Sequence, residues 1–190
     1  MGDRFPRLAA TLAAHRLFAS AEPDPTGWAV LKANGVDLDT VTNLAGPIVR
    51  SLVTFWDGRF EYDYAFGEIA FVIAVHGEDA ETVVDLCAWS ARDPATFGTM
   101  FGAGILGIDS LMNPASYIGR PCMLFGSPLA WLRANCAGAV VLDFNGVRAA
   151  LGAAPGVLTT DSLELAESLV RSGIVPARKV VVPAAWGRAA

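Results

Sequence analysis

Charged residues are scarce in this chain, and lysine is nearly absent. Charged side chains make up 17% of the 190 residues, below the roughly 25% usual for soluble domains. Only Lys32 and Lys179 are lysines among the 14 basic residues, and the net charge is −5. The basic residues are scattered, so a patch that neutralises nucleic-acid phosphates is disfavoured. Binding to an anionic membrane surface is disfavoured for the same reason.

Cysteine is also scarce. Cys87, Cys122 and Cys136 are an odd number without a CxxC pair, and each lies in an apolar run, where cysteine behaves as a small hydrophobe. This usage favours a reducing cytoplasm over a secreted disulfide framework. Long apolar runs are missing as well, because no stretch approaches the ~18 uninterrupted apolar residues of a membrane span. We therefore expect a soluble, cytoplasmic protein.

Apolar residues are abundant instead, at 53% of the chain. A surface with so few charges exposes apolar area, and a large exposed apolar patch is typical of an interaction site. We therefore expect part of the surface to be buried against another subunit, which makes a homo-oligomer the expected form of the protein.

Residues 49–66 predict a β-hairpin around Asp57-Gly58. Asp-Gly between two β-forming runs is typical of a type I′ loop, in which both central residues need a positive φ. One face of the hairpin is then apolar and aromatic apart from Ser51. The register that follows pairs Trp56 with Arg59, Phe55 with Phe60, Val53 with Tyr62, Ser51 with Tyr64 and Val49 with Phe66.

Helical and strand patterns surround this hairpin. Residues 5–19 predict a short amphipathic helix with Phe5, Leu8 and Leu12 along its apolar stripe. Residues 69–75 are continuously apolar, which predicts a strand buried on both faces. The segment from Thr82 to Trp89 fits a helix or a strand, and its β-branched start favours the strand.

The last third of the chain alternates short apolar strands with helices. Strands are predicted at 122–125, 139–143, 157–159 and 179–182, and such alternation implies parallel right-handed crossovers. Ser127 before Pro128 predicts one helix start, Asn145 a second, and the capping-box spacing from Asp161 to Glu164 a third. Asp93-Pro94 predicts a further helix start, ahead of a glycine-rich stretch.

These patterns predict an α/β or α+β fold in one compact unit. A helical N-terminal segment (1–47) leads into an antiparallel β-meander (48–92). A glycine-rich connector (93–120) then joins the meander to a small parallel α/β half (121–190). The meander and the parallel half could also share one continuous mixed sheet.

Polar side chains follow three of the predicted parallel strands. In open α/β sheets, ligands bind beyond the carboxyl ends of the strands, near helix N-termini. The sequence therefore predicts a site for a small anionic ligand, or for a carboxylate-held metal, at this edge of the sheet. The alternative is that these residues only cap the helices that follow. The candidate ligand-binding residues are Ser127, Asp143, Asn145, Thr160 and Asp161.

The turn after the buried strand offers a second candidate site. His76, Glu78 and Asp79 follow residues 69–75, and a histidine with two carboxylates can bind a divalent metal or act as a base. A metal needs a third or fourth ligand, and His15 is the only other histidine. An ordinary solvated turn is the alternative.

Two further patterns have structural explanations. Gly102-Ala-Gly-Ile-Leu-Gly107 matches GxGxxG, but a dinucleotide site needs a strand before it and an acidic residue about 20 positions later. The segment before it predicts a helix, so close packing of glycines is favoured. Glu61 and Asp63 share one strand face as paired carboxylates, for which a solvated or interface-facing sheet surface is the simpler explanation.

Residues 157–161, a helix and residues 179–183 resemble the later part of a Toprim domain, and Asp143-Phe-Asn145 is similar to its DxD element. That family holds Mg²⁺ for nucleic-acid chemistry with a glutamate after its first strand and paired aspartates. Here Gly126-Ser127 stands in place of the glutamate, and the second aspartate is missing. The resemblance covers about a third of the chain and implies a degenerate, inactive module.

Two classes of function follow from the sequence. The first is a non-catalytic protein that acts through self-association or partner binding, which the low charge and the aromatic hairpin favour. The second is a small-ligand-binding or metal-dependent enzyme that uses the strand ends of the α/β half. No Ser–His or Cys–His pair stands in a recognisable nucleophile motif.

Overall fold

The computed structural model describes residues 4–19 and 24–181, with side chains from residue 8 onward in the first range. The described chain is a mixed α/β fold with ten strands and seven α-helices, which confirms the predicted fold class. The strands form two separate sheets, a closed five-stranded barrel and a five-stranded sheet. The alternative of one continuous sheet is therefore wrong.

The barrel holds the first five strands in the spatial order β1-β2-β5-β4-β3. They are β1 (Val49–Trp56), β2 (Arg59–Tyr62), β3 (Glu68–His76), β4 (Val83–Ser90) and β5 (Phe97–Thr99). The second sheet has the order β10-β9-β7-β8-β6. Its strands are β6 (Ile105–Leu106), β7 (Cys122–Phe125), β8 (Ala139–Val141), β9 (Leu158–Thr160) and β10 (Val180–Val181).

The helices connect and cover these sheets. They are α1 (Arg4–Ala19), α2 (Pro25–Ala33), α3 (Leu38–Thr42), α4 (Ile108–Met112), α5 (Pro128–Arg133), α6 (Arg148–Ala153) and α7 (Leu163–Arg171). Two single turns of 3-10 helix lie at Pro114–Tyr117 and Ala177–Lys179. Residue 182, at the end of the last predicted strand, lies outside the described residues.

The hairpin loop is confirmed, but its predicted register holds for only half of β1. Asp57 and Gly58 have φ angles of 44° and 70°, as a type I′ loop requires. β1 pairs with β2 from Trp56–Arg59 to Val53–Tyr62, as predicted. Beyond that point the prediction is wrong, because β2 ends and β3 takes its place: Ser51 pairs with Ala70, and Val49 pairs with Val72. Tyr64 and Phe66 are consequently not part of the sheet.

Residues 63–67 carry the chain across β1 from one flank to the other. Val53 pairs with Tyr62 of β2 and with Glu68 of β3, and β1 lies between these two strands in the barrel. A Cβ on Gly67 would lie 2.7 Å from the Val53 nitrogen and 2.4 Å from the Asp63 carbonyl oxygen. Only glycine fits at this crossing, because both neighbours are backbone atoms.

Helix α1 packs on the barrel through its alanines. Ala14 is buried in one cluster with barrel residues such as Val53 and Leu86, and Ala10 is fully buried. The predicted stripe is wrong, since Leu8 and Leu12 are 59% and 51% exposed. Small side chains let a helix approach a sheet closely, and close-packed interiors favour that fit. The side chain of Phe5 lies outside the described ones.

Two segments of uncertain or mistaken prediction form barrel strands. Thr82 to Trp89 overlaps β4 (Val83–Ser90), so the favoured strand prediction is confirmed. The helix predicted after Asp93-Pro94 is wrong: Asp93 instead closes a turn by accepting the Ala95 amide at 3.2 Å. Phe97 then pairs with Trp89 at the start of β5. Cross-strand pairing overrides a local helix-start signal here.

The predicted parallel half is confirmed in its topology. β7 pairs in parallel with β8 and β9, β9 pairs in parallel with β10, and β6 is an antiparallel edge. Ser127 caps α5 as predicted, by accepting the Ala130 amide. The predicted cap of α7 is one residue off, because Ser162 rather than Asp161 is the N-cap. Asn145 does not cap α6, whose N-cap position is Val147.

One hydrophobic core joins the barrel to the α/β half. The outer face of β3 and β4 contributes Phe71 and Trp89, whose rings stack with centroids 5.6 Å apart. Trp131 and Leu132 of α5 and Phe125 of β7 pack into the same cluster. The two sheets therefore form one body around a shared seam.

Candidate functional site

The predicted strand-end residues lie at one edge of the second sheet. Gly126, Asp143 and Asp161 follow β7, β8 and β9, which are parallel neighbours. The Gly126 amide donates to both Asp161 carboxylate oxygens, at 3.2 and 3.1 Å. Partial burial raises the pKa of Asp161, and this amide opposes the shift.

These polar groups are engaged with their own backbone. Asp143 accepts the amides of Asn145 at 3.0 Å and Gly146 at 3.1 Å. Ser127 Oγ accepts the Ala130 amide at 3.3 Å, while Thr160 Oγ1 donates to the Ser162 carbonyl at 2.7 Å. The Ser127 bond caps α5, whereas the bonds of Asp143 and Thr160 are local side-chain to backbone bonds typical of turns. Ligand binding at this edge stays a prediction.

The turn after β3 is also internally bonded. Asp79 accepts the amides of Glu81 and Thr82 at 3.1 and 2.9 Å and the Thr82 hydroxyl at 2.6 Å. These bonds lower the pKa of Asp79. His76 is half-buried, and burial lowers its pKa against the opposing pull of Asp109 and Asp79.

Metal binding at His76, Glu78 and Asp79 stays a prediction. Across residues 4–19 and 24–181, no group of three or more His, Cys, Asp or Glu side chains is arranged to hold a metal ion. Glu78 lies exposed in the same turn.

The glycine-rich loop is held by a buried carboxylate that the sequence analysis missed. Asp85 on β4 is 1% exposed. It accepts the amides of Leu86 at 2.6 Å, Met100 at 3.1 Å, Phe101 at 2.9 Å and Ala103 at 2.6 Å. Burial raises the pKa of Asp85, and these amides oppose the shift. The signal available in the sequence was an aspartate within an otherwise apolar strand.

This anchoring explains the GxGxxG match. Amide donors at the start of the loop, where a phosphate would bind in a dinucleotide site, already donate to Asp85. β6 lies inside the motif, and α4 after it has only five residues. A Cβ on Gly104 would lie 2.5 Å from the Gly146 carbonyl carbon. The glycines therefore serve close packing, as favoured from the sequence.

Among the described side chains, the most exposed aromatic ones lie in the loop that crosses β1. Phe66 is 93% exposed and Tyr64 is 73% exposed, and the neighbouring Ile69 is 49% exposed. We call these three residues the aromatic surface. The sequence assigned Tyr64 and Phe66 to the apolar hairpin face, so it identified the right side chains but the wrong environment.

Hydrogen bonds within residues 63–67 fix the backbone of the loop that carries Tyr64 and Phe66. Asp63 Oδ1 accepts the amides of Ala65 and Phe66 at 3.1 and 3.0 Å. Thr54 Oγ1 donates to Asp63 Oδ2 at 2.9 Å, and the Gly67 amide donates to the Asp63 carbonyl at 2.9 Å. The Phe66 amide bond and the Thr54 bond lower the pKa of Asp63. Asp63 therefore makes most of the hydrogen bonds that fix this loop, through both its carboxylate and its carbonyl.

Aromatic stacking ties the loop to the barrel interior. The Tyr64 ring stacks on Tyr62 with centroids 6.0 Å apart and planes 4° from parallel. Tyr62 in turn meets the buried Phe60 edge-on at 5.8 Å. Burial raises the pKa of Tyr62, and its hydroxyl has no hydrogen-bond partner among the described residues.

Charges of both signs border the aromatic surface. Glu61, Glu68 and Arg92 are exposed. Ser90 Oγ donates to Glu68 Oε2 at 2.8 Å and accepts the Arg92 amide at 3.2 Å. Glu68 and Arg92 are thereby held at the same end of the surface, beside Ile69.

Comparison with known proteins assigns no family to the chain. No protein-family model, curated protein or solved structure matches it. Within the described residues, no helix combines the length and apolar character needed to span a bilayer.

Proposed function

We propose that this protein acts by binding a second copy of itself through the aromatic surface. The observation that carries the proposal is the exposure of Phe66 at 93% in a hydrogen-bonded loop. Exposed apolar clusters mark interaction sites, and aromatic residues are enriched at the centres of interfaces. Burying one such side chain contributes about 1.5–3 kcal/mol.

The fixed shape of the loop supports a binding role. Ordering a flexible loop on association opposes binding, and a loop already in its bound conformation avoids that loss. Asp63 and Gly67 hold this loop without any partner. An exposed phenylalanine on a preformed loop is therefore well suited to enter an apolar interface.

The bordering charges favour a second copy as the partner. Closed dimers are two-fold symmetric, so each surface meets its own equivalent. Because Glu68 and Arg92 lie at the same end of this surface, a two-fold axis that passes near that end would set the carboxylate of one copy against the guanidinium of the other. Opposite charges in that position favour the correct docking orientation.

Light scattering after size-exclusion chromatography tests this proposal with a matched pair of variants. We expect the wild-type protein to elute at twice the chain mass, and Phe66→Ser to weaken the dimer at least about tenfold. Ile118 is 79% exposed, so Ile118→Ser is the control and should leave the dimer unchanged. A wild-type monomer at all accessible concentrations, or equal dimer strength in Phe66→Ser, would contradict the proposal.

A further inference from the structure

A cavity of about 690 Å³ lies between the N-terminal helices and the outer face of the barrel. Helix α2, helix α3 and the segment after α3 form one wall, and β1 with Phe71 of β3 forms the other. Small-molecule sites typically enclose about 300–1,000 Å³ and are mostly apolar with a few placed polar groups. The size of this cavity is therefore that of a small-molecule site.

The lining of the cavity is mixed, with slightly more apolar than polar surface. Leu31, Val41 and Phe71 form its base and are each more than 90% buried. Trp28 and Leu44 add apolar walls that are partly exposed. Asp24 and Arg50 are the charged residues among the lining residues.

Arg50 is held so that part of its guanidinium remains available. Its Nε lies 2.8 Å from Asp24 Oδ2, while Asp24 Oδ1 accepts the Gly27 amide at 2.9 Å as the cap of α2. Within the described residues, the two terminal nitrogens of Arg50 take part in no hydrogen bond or ion pair. The side chain is 34% exposed, so a ligand can reach these nitrogens.

We propose that this cavity binds a small amphipathic anion, with an apolar body against Trp28 and Phe71 and a carboxylate on Arg50. A planar guanidinium can donate two parallel hydrogen bonds to a carboxylate, which gives both affinity and orientation. Asp24 fixes the guanidinium through Nε and leaves this fork free. The site shares no residue with the aromatic surface, although Phe71 and Ile69 lie two positions apart on the same face of β3, and the proposal does not depend on self-association.

Dye displacement tests the proposal on the full chain. The probe is 8-anilinonaphthalene-1-sulfonate, which combines an aromatic body with one anionic group and fluoresces when buried. We expect decanoate to displace the dye at about tenfold lower concentration than decanol, which has the same chain without the charge. Equal displacement by decanol would overturn the assignment of the anionic group to Arg50.

Three variants locate the site. Leu44→Trp fills the cavity without changing the ion pair and should abolish saturable dye binding. Arg50→Gln should remove the preference for decanoate over decanol. Arg171→Gln, on an exposed arginine of α7 that pairs with Glu167, is the matched control and should change neither result. Unchanged dye binding in Leu44→Trp would overturn the proposal, and this outcome decides the matter even if Arg50→Gln fails to fold.

Discussion

At the scale of single residues, the carboxylates of this chain mainly organise its backbone. Asp63, Asp79, Asp85 and Asp143 each accept two or more amides from nearby loops. A sequence reveals that such residues are polar and near turns, but it does not reveal whether a ligand or the backbone uses their oxygens. The buried Asp85 was missed because three of its four amide partners lie 15 or more positions away along the chain.

Removing the Asp85 carboxylate should destabilise the protein strongly. Asp85→Ala leaves several buried or partly buried amides without an acceptor, and each unsatisfied group costs about 1–3 kcal/mol. We expect a loss of at least about 2 kcal/mol in the free energy of unfolding, measured by urea denaturation. Glu78→Ala, on an exposed turn, is the control and should stay within about 0.5 kcal/mol. A similarly small change in Asp85→Ala would show that the loop is held by other contacts.

His76 should make stability depend on pH. Burial lowers its pKa below the ordinary 6.5 in the folded chain, so the unfolded chain binds the proton more readily. Stability from this group is therefore full above pH 6.5 and falls as the pH drops from 6.5 through the lowered folded value. Urea midpoints at several pH values should show this fall in wild type and His15→Gln but not in His76→Gln. The same slope in all three proteins would rule out His76 as the cause.

At the scale of elements, the hairpin loop was predicted correctly, and the strand that replaces β2 beside β1 was not. The Asp57-Gly58 loop and the β1–β2 register next to it depend on adjacent residues, and both are confirmed. The crossing at Val53 depends on β3 replacing β2 as a neighbour, which no local pattern encodes. Helix α1 was recognised by its period. Its buried face was misjudged, because shape matching favoured alanine over the more hydrophobic leucine.

The crossing over β1 should tolerate no side chain at Gly67. A Cβ there would lie within 3 Å of three backbone atoms of Asp63 and Val53, which forces the strands apart. We expect Gly67→Ala to lower the free energy of unfolding by about 1–3 kcal/mol. Gly152 in α6 has open space around its Cβ position, so Gly152→Ala should be neutral or slightly stabilising. Equal effects of the two substitutions in thermal or urea unfolding would contradict the crossing geometry.

At the scale of the whole molecule, the strand-end edge was the part of the candidate site that sequence predicted best. Parallel strands bring their carboxyl ends together whatever the side chains are, and Gly126 and Asp161 do meet there. The aromatic surface and the cavity at Arg50 arise from how distant segments pack. Neither depends on a motif: the sequence indicated the aromatic side chains Tyr64 and Phe66 but not their exposure, and it gave no sign of the cavity.

The shared core explains how these surfaces coexist in one body. The outer face of the barrel is buried by the α/β half at Trp89 and Phe71. Ile69 lies on β3 two positions before Phe71, outside the area that the α/β half buries, and is 49% exposed. The aromatic surface is thus a part of the barrel that the described residues leave uncovered.

Sedimentation equilibrium of the wild-type protein is the most direct measurement of self-association through that surface. We expect the apparent mass to rise from one chain at the lowest concentrations toward two chains in the micromolar range, and to level off there as a closed dimer requires. Phe66→Ser, which changes no described contact inside the chain apart from its own backbone, should shift this rise to at least about tenfold higher concentration. A constant mass of one chain in the wild-type protein, or coincident curves for both proteins, would contradict the account.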